Sequence, residues 1–476
     1  MSLPFRPLPT ALTALVAVGV ALLPPFGLEP AAQRTLCVLV VAAGLWMTEA
    51  LPISVTALLI PVLGTLLGVC DVGKAFAGFG DPIVFLFFGT FLLTDAAERH
   101  GLTARLAGAV RGMRAVREHP GRLLWALGGL GIGISAWVNN TATAVMLIPL
   151  ALTSEGLGSR RLTTSALLAC SYAPSIGGIA TPVGTAPNLI GLRLLEEFTG
   201  RRPSFGEWCL VFAPLAVIAG LLCTGVLAWR ARGATPAATP PADGPAKSEA
   251  GARRPWSAAE RTLMVVFVAV IALWITPGIL AATSLADAAW VRAWRTRLPE
   301  PVVPLIGALV LFMLPRARGE GERLLDAGVL RRVDWGTLLL FGGGLSLGAM
   351  MFESGLARAL GEAIFRAVPL AGLAGVVLAA TVMAVTVSEL TSNTASASLV
   401  VPVVLALAAA AGVDPVKPAL AATIGCSFGF MLPVSTPPNA LVYATGRLTI
   451  REMIGAGILL DLGAIALITA WVTLLG

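Results

Sequence analysis

The sequence predicts an all-α membrane protein. About eleven transmembrane helices are arranged in two inverted repeats, each with a re-entrant helical hairpin and a broken helix. Three observations lead there. The 476 residues are 57% hydrophobic and 12% charged, whereas a soluble domain carries about 25% charged residues. The apolar runs are long, unbroken and rich in Leu and Ala, unlike the ~10-residue alternating segments of a β-barrel. Finally, four polar or glycine-rich motifs recur in order in the second half of the chain.

The spans follow from the apolar runs. They cover 9–27, 35–49, 52–70 and 82–97, then an interrupted span at 162–198 and one at 208–229. After a linker come 260–282, 301–315, 336–352, an interrupted span at 415–445, and 453–475. The first run ends at Pro24-Pro25 without a clear A-x-A-like cleavage site, so it reads as a span and not a signal peptide. Residues 231–257 are rich in Ala, Pro and Gly and lack apolar periodicity, which fits a flexible linker.

Two further apolar stretches, 123–152 and 369–410, are broken near the middle by polar residues. Each half is short for a crossing, so both read as hairpins that enter and leave on one side. After the fourth and ninth spans, Leu102, Leu106, Val110 and Met113 form one apolar stripe at helical spacing. Leu356, Leu360, Ile364 and Val368 form another. Both suit amphipathic helices at the membrane surface.

The repeat is visible in the motifs. FFGTFLL at 87–93 answers FGGGLSL at 341–347, and GLTARLA at 101–107 answers GLARALG at 355–361. NNTATA at 139–144 answers SNTASA at 392–397, and GTAPN at 184–188 answers STPPN at 435–439. The offsets are 254, 254, 253 and 251. Five crossings separate the two broken stretches. Five is odd, so the halves are inverted.

The net charge of +7 is a matter of topology. With the N-terminus in the cytoplasm, 22 of the 33 Lys and Arg fall on the cytoplasmic side. That places the C-terminus outside, and no nucleic-acid partner is needed to explain the charge. The loop 283–299, with three Arg, is the exception on the outer side. The six cysteines are scattered without a CxxC and read as small buried apolar residues. Both histidines, His100 and His119, lie in one basic loop, and no HExxH occurs. An intramembrane hydrolase or transferase, which needs such a site or an acidic cluster, is disfavoured.

The interruptions carry the chemistry. Asn139-Asn140-Thr141 and Ser392-Asn393-Thr394 stand at the hairpin tips, inside apolar sequence. Gly and Pro should break the two interrupted spans at Thr185-Ala186-Pro187-Asn188 and Thr436-Pro437-Pro438-Asn439. Non-helical backbone at membrane depth survives only inside protein or along a watery cavity. The four motifs should therefore converge on one site. Half-helix N-termini carry unpaired N–H groups and about half a positive charge, which suits an anion. Freed carbonyls and Ser, Thr or Asn oxygens suit Na⁺. The motifs contain no Lys or Arg. Glu49 and Glu389 lie in or beside apolar segments, where a charge needs partners. Glu389 is one helical turn before Asn393 and could orient the tip, although a structural carboxyl, either protonated or paired with backbone, is the simpler reading.

TEALP at 48–52, NNTAT at 139–143, GTAPN at 184–188, ELTSNTASA at 389–397 and STPPNALVY at 435–443 resemble the divalent-anion/sodium symporters, the INDY-type carriers. The resemblance covers nearly the whole chain. It implies a secondary active transporter of the cytoplasmic (inner) membrane, not an enzyme. The implied machine is a homodimeric elevator that moves a di- or tricarboxylate of the succinate, malate and fumarate class, coupled to Na⁺. It also divides the chain into parts. Residues 1–120 and 258–368 would be scaffold helices with arm helices. Residues 121–230 would be transport part, with hairpin 121–153, broken helix 162–198 and helix 208–229. So would residues 369–476, with hairpin 369–410, broken helix 415–445 and helix 453–475. Residues 231–257 remain the cytoplasmic linker.

By the same resemblance, Asn140, Thr141, Thr185, Asn393, Thr394, Pro437 and Pro438 contact the substrate. Ser135, Asn139, Asn140 and Gly184 form the first Na⁺ site, and Ser388, Thr391, Asn393 and Ser435 the second. One departure stands out: the family's first tip is usually Ser-Asn-Thr, and here the Ser is Asn139. Sodium-independent dicarboxylate exchange, and citrate or sulfate carriage within the same superfamily, remain alternatives.

Overall fold

The computed structural model describes residues 27–102, 105, 120–152, 159–232, 255–281, 283, 288–316, 322–368 and 372–474, together with Thr13, Val16 and Gly19. The span expected at 9–27 and most of the linker fall outside these residues. Among the described residues all regular structure is helical, apart from one isolated bridge between Pro315 and Arg323.

The first half runs α1 (Pro30–Thr48), α2 (Ile53–Leu66), α3 (Val72–Phe76), α4 (Pro82–Arg99), α5 (Pro120–Ser135), α6 (Asn140–Leu152), α7 (Arg160–Gly178), α8 (Ala186–Thr199) and α9 (Phe205–Arg230). The second half runs α10 (Ala258–Ala281), α11 (Ala289–Arg297), α12 (Val302–Met313), α13 (Trp335–Glu353), α14 (Leu356–Ala367), α15 (Gly372–Leu390), α16 (Asn393–Ala410), α17 (Val416–Gly425), α18 (Pro437–Ala444) and α19 (Ile450–Leu474). Eight candidate spans among the described residues are long and apolar enough to cross a membrane, with α3 and α4 counted together. Four shorter apolar helices, α2, α5, α6 and α12, accompany them. The protein is therefore a multi-pass membrane protein.

The halves interlock. Helix α2 packs on α13, and α4 on α12, while α7 lies against α5 and α6. Helix α15 packs on α17 and α19, and α8 on α16 and α17. Small residues permit the closest approaches. A Cβ on Gly177 of α7 would stand 2.5 Å from the Ile132 carbonyl of α5, and one on Gly89 of α4 would stand 2.9 Å from the Pro304 backbone of α12.

Several expectations change in detail. Both long helices do break, but earlier than the Thr-x-Pro-Asn motifs. Helix α7 stops at Gly178 and α17 at Gly425, and the motifs begin the next half-helix. Proline explains the shift: without an N–H, it is tolerated in the first turn, where that N–H would have no intrahelical partner. The second hairpin has legs of 19 and 18 residues, long enough to cross, against 16 and 13 in the first. What marks both as hairpins is the short polar turn and the packing of leg on leg. The second arm, α14, docks on α16 and α1, with Leu356, Ala357 and Gly361 buried. Most of the first arm, including Leu106, Val110 and Met113, lies outside the described residues. The loop at 283–299 contains α11, a helix too short and too charged to stand out as an apolar run.

Candidate functional site

The two hairpin tips share one local design. Ser135 Oγ donates to Asn140 Oδ1 at 2.6 Å, and Ser388 Oγ donates to Asn393 Oδ1 at 2.9 Å. Asn139 Oδ1 accepts from the Ala142 N–H at 2.7 Å, capping α6. Ser392 Oγ does the same for the Ala395 N–H at 3.3 Å. Asn and Ser are comparable N-caps. The Asn139 side chain is thus committed to the cap that Ser392 supplies in the other repeat. The Asn139 carbonyl accepts in turn from the Thr143 N–H and from Thr143 Oγ1, each at 3.1 Å.

The breaks are stitched by two asparagines that the sequence motifs contain but whose task they do not disclose. Asn188 Nδ2 donates to the carbonyls of Gly178 at 2.9 Å and Thr181 at 2.8 Å. Asn439 Nδ2 donates to those of Gly429 at 3.0 Å and Leu432 at 2.9 Å. Both asparagines are fully buried. Each amide spans an unwound segment and takes up carbonyls that the missing helical turn leaves free. Ser171 of α7 also donates to Asn439 Oδ1, tying the repeats together.

Glu389 closes the second break from below. Its carboxylate accepts from the Phe430 N–H, from the Met431 N–H at 2.8 Å, from the Leu432 N–H at 3.2 Å and from Ser435 Oγ at 2.9 Å. The carboxyl is thus paired with backbone amides, the simpler of the two readings of Glu389. By the repeat offset, Ala136 stands in its place in the first half, so among the described residues the carboxylate anchor belongs to the second break.

The two hairpin tips and the starts of α8 and α18 face a cavity of about 930 Å³. The residues expected at the substrate, Asn140, Thr141, Thr185, Asn393, Thr394, Pro437 and Pro438, all line it, as do Asn139 and Gly184. Four helices, α6, α8, α16 and α18, begin at its wall with Asn140, Ala186, Asn393 and Pro437. No Lys, Arg or His is among the described residues that line it. Phe87 and Phe91 supply an apolar flank. Three acids the motif reading did not find there, Glu49, Glu98 and Asp334, also line the cavity. Asp334 caps α13 through Thr337 N at 3.1 Å and Thr337 Oγ1 at 2.6 Å. Glu49 has φ 47°, the one non-glycine in the left-handed region among the described residues. Such strain clusters at binding sites.

Ser135, Ser388, Thr391 and Ser435 lie behind the cavity wall, each buried. Around Gly178 and Gly184 several oxygens converge. A Cβ on Gly184 would stand 2.5 Å from Gly178 O and 2.9 Å from Ser135 O, and one on Gly178 would stand 2.8 Å from Asn140 Oδ1. In the second repeat a Cβ on Gly429 would stand 3.0 Å from Ser388 O and 3.1 Å from Ser388 Oγ. Thr391 Oγ1 is buried there with no hydrogen-bond partner, a hydroxyl oxygen in need of a ligand. Neutral oxygen donors of this kind suit a hard monovalent cation. Among the described residues no group of three or more His, Cys, Asp or Glu could hold a metal ion.

Comparisons with known proteins agree with this architecture. A family model described as the sodium:sulfate symporter transmembrane region matches residues 8–476. The chain is 28% identical over 438 residues to the sodium-dependent dicarboxylate transporter SdcS of Staphylococcus saprophyticus, covering 89% of this chain and 82% of that protein. It is 32% identical over 451 residues to an uncharacterized transporter of Haemophilus influenzae, covering 92% and 91%. Among solved structures, MtrF of Neisseria gonorrhoeae gives a TM-score of 0.58 at 15% identity, with 99% of this chain and 96% of that one covered. The YdaH transporter of Alcanivorax borkumensis gives 0.55 at 18% identity, with 98% of each chain covered. These two likenesses concern the fold.

Proposed function

The chain belongs to the sodium:sulfate symporter family, and from that premise we propose that it is a Na⁺-coupled carrier of a C4 dicarboxylate of the succinate, malate and fumarate class. The carrying observation is the set of four helix N-termini around one cavity that has no cationic side chain among its described lining residues. Helix ends and Asn-Thr amides and hydroxyls then bind the carboxylates. With Glu49, Glu98 and Asp334 on the wall, a dianion entering alone meets carboxyl groups and no cationic side chain among the described lining residues. Cations that enter with it offset that repulsion, which is a physical reason for coupling. The relatives named sodium-dependent dicarboxylate transporters support the same reading.

In this proposal Asn140, Thr141, Asn393 and Thr394 meet the carboxylates, and Thr185, Pro437 and Pro438 complete the pocket. The first Na⁺ takes Ser135, Asn139, Asn140 and Gly184. The second takes Ser388, Thr391, Asn393 and Ser435. Helices α5–α9 and α15–α19 form a transport part that slides as an elevator against a scaffold of α1–α4 and α10–α14. The protein works as a homodimer in the cytoplasmic membrane, with its N-terminus inside.

The test is succinate uptake into proteoliposomes with an inward Na⁺ gradient. Uptake should rise severalfold over choline. Equal uptake in both would reject coupling, and exchange against internal succinate would then identify an exchanger. Competition by citrate and by sulfate separates the substrate classes.

A further inference from the structure

A chain of five charged residues runs across the seam between the two proposed parts. Asp81 caps the N-terminus of α4, accepting from the Ile83 N–H at 3.0 Å. Its other oxygen meets Arg193 Nε of α8 at 2.6 Å. Arg193 also lies 3.7 Å from Glu196, and Glu196 lies 3.7 Å from Arg202. Arg202 then meets Glu300 at 2.9 Å, just before α12. Glu300 also accepts from the Phe205 N–H, the first of α9, at 2.9 Å. The two outer acids belong to α4 and the start of α12, which pack on each other. The three inner residues belong to α8 and the loop that follows it.

The position of this chain matters as much as its pairing. Helix α4 has 18 residues, about 27 Å at 1.5 Å per residue. Asp81 stands at its first end, and Glu98, which lines the cavity, at its last. The cavity rim also takes Glu49 at the end of α1, Ile53 at the start of α2 and Gly336 at the start of α13. In the proposed topology all of these lie on the cytoplasmic side, opposite Asp81 and Glu300. The cavity thus approaches one face of the membrane, and the ion-pair chain bridges the seam at the other.

Resting on the elevator reading above, we infer that Asp81–Arg193–Glu196–Arg202–Glu300 is the outer gate. It is closed while the cavity faces the cytoplasm and separates when the transport part moves outward. Exposed single ion pairs contribute little, but networks with half-buried members contribute more. The Asp81 side chain is 9% exposed and that of Arg202 19%. A gate of this kind favours one state modestly and can still open in each cycle.

The experiment uses the full chain in proteoliposomes, with Cys70 and Cys209 changed to Ser and with Val145→Cys on the cavity wall as a reporter. A membrane-impermeant maleimide is applied to each face separately. Asp81→Asn keeps the helix cap and removes the charge, and Arg202→Gln removes the other link. The double variant should raise labelling from the face bearing Asp81 by about three- to tenfold. Arg201→Gln is the control, because Arg201 pairs with Asp414 within the proposed transport part, at 2.8 Å. Size-exclusion profiles confirm that each variant folds. Unchanged labelling in the double variant, while the parent labels from both faces during turnover, would overturn the gate. An equal rise in Arg201→Gln would overturn it too. Labelling of the parent from one face under every condition would overturn alternating access itself, and the gate with it.

Discussion

At the scale of single residues, the tips were legible because Asn-Thr in the middle of apolar sequence has no other good explanation. Asn393 accepts from Ser388 and faces the cavity, so in the proposed site Asn393→Ala would remove a hydrogen bond to a charged ligand and disturb the tip at once. Such bonds are worth about 1.5–3 kcal/mol, or roughly ten- to a hundredfold in transport. Uptake assays on Asn393→Ala and Asn140→Ala should show comparable losses, since each amide oxygen accepts from the serine five residues before it and both residues line the cavity. Near-normal transport by Asn393→Ala would remove it from the site. Glu389 is a different case. Its sequence position marked it as buried, but not that it holds three consecutive N–H groups some forty residues away. Glu389→Ala leaves those donors unpaired at about 1–3 kcal/mol each. Glu389→Gln keeps one acceptor oxygen and should cost less. Melting temperatures in detergent should fall in the order wild type, Gln, Ala.

At the scale of elements, both breaks were legible from Gly and Pro, but their registers were not. Proline was read as the point where a helix ends, whereas Pro187 and Pro437 lie in the first turn of the next one. The sequence of a break also cannot reveal its stitching. Asn188 and Asn439 each reach back seven and ten residues, a closure visible only once the segment is folded. Replacing either by Ala frees two buried carbonyls, so both variants should lose stability by about 2 kcal/mol or more. Asn439→Ala should lose more than Asn188→Ala, because Asn439 Oδ1 also takes Ser171 across the repeats, whereas Asn188 Oδ1 has no partner. Equal melting temperatures for the two variants would show that the cross-repeat bond contributes nothing. The helices α3 and α11 escaped notice because they are short and carry charge, and neither period nor hydropathy separates such pieces from loops.

At the scale of the whole molecule, the inverted repeat was legible from near-constant offsets. The acidic wall of the cavity was not, because Glu98 and Asp334 come from helix ends far apart in sequence and meet only through the packing of the halves. The topology can be argued from contacts at one end of the bundle. Arg99 pairs with Asp326 at 3.3 Å, and His100 Nε2 with Leu324 O at 2.9 Å. Arg105 pairs with Glu260 at 2.9 Å, and Arg230 donates to Gly455 O at 2.8 Å. Gly206 at the start of α9 lies against Gly278 near the end of α10, so the end of α9 lies beside the start of α10. Together these contacts bring the end of α4, the start of α10, the loop before α13, the end of α9 and the start of α19 to a single face. It is the face that collects most of the cations in the proposed orientation. In that orientation the positive-inside bias would make it cytoplasmic. Helix α19 starts there and, with 25 residues, can cross once. The C-terminus should therefore emerge outside. A cysteine placed at Gly476 should react with an impermeant maleimide in intact cells, and one placed at Gly101 only after the membrane is opened. Reaction at Gly101 in intact cells would invert the whole assignment, and with it the sides given to the cavity mouth and the gate.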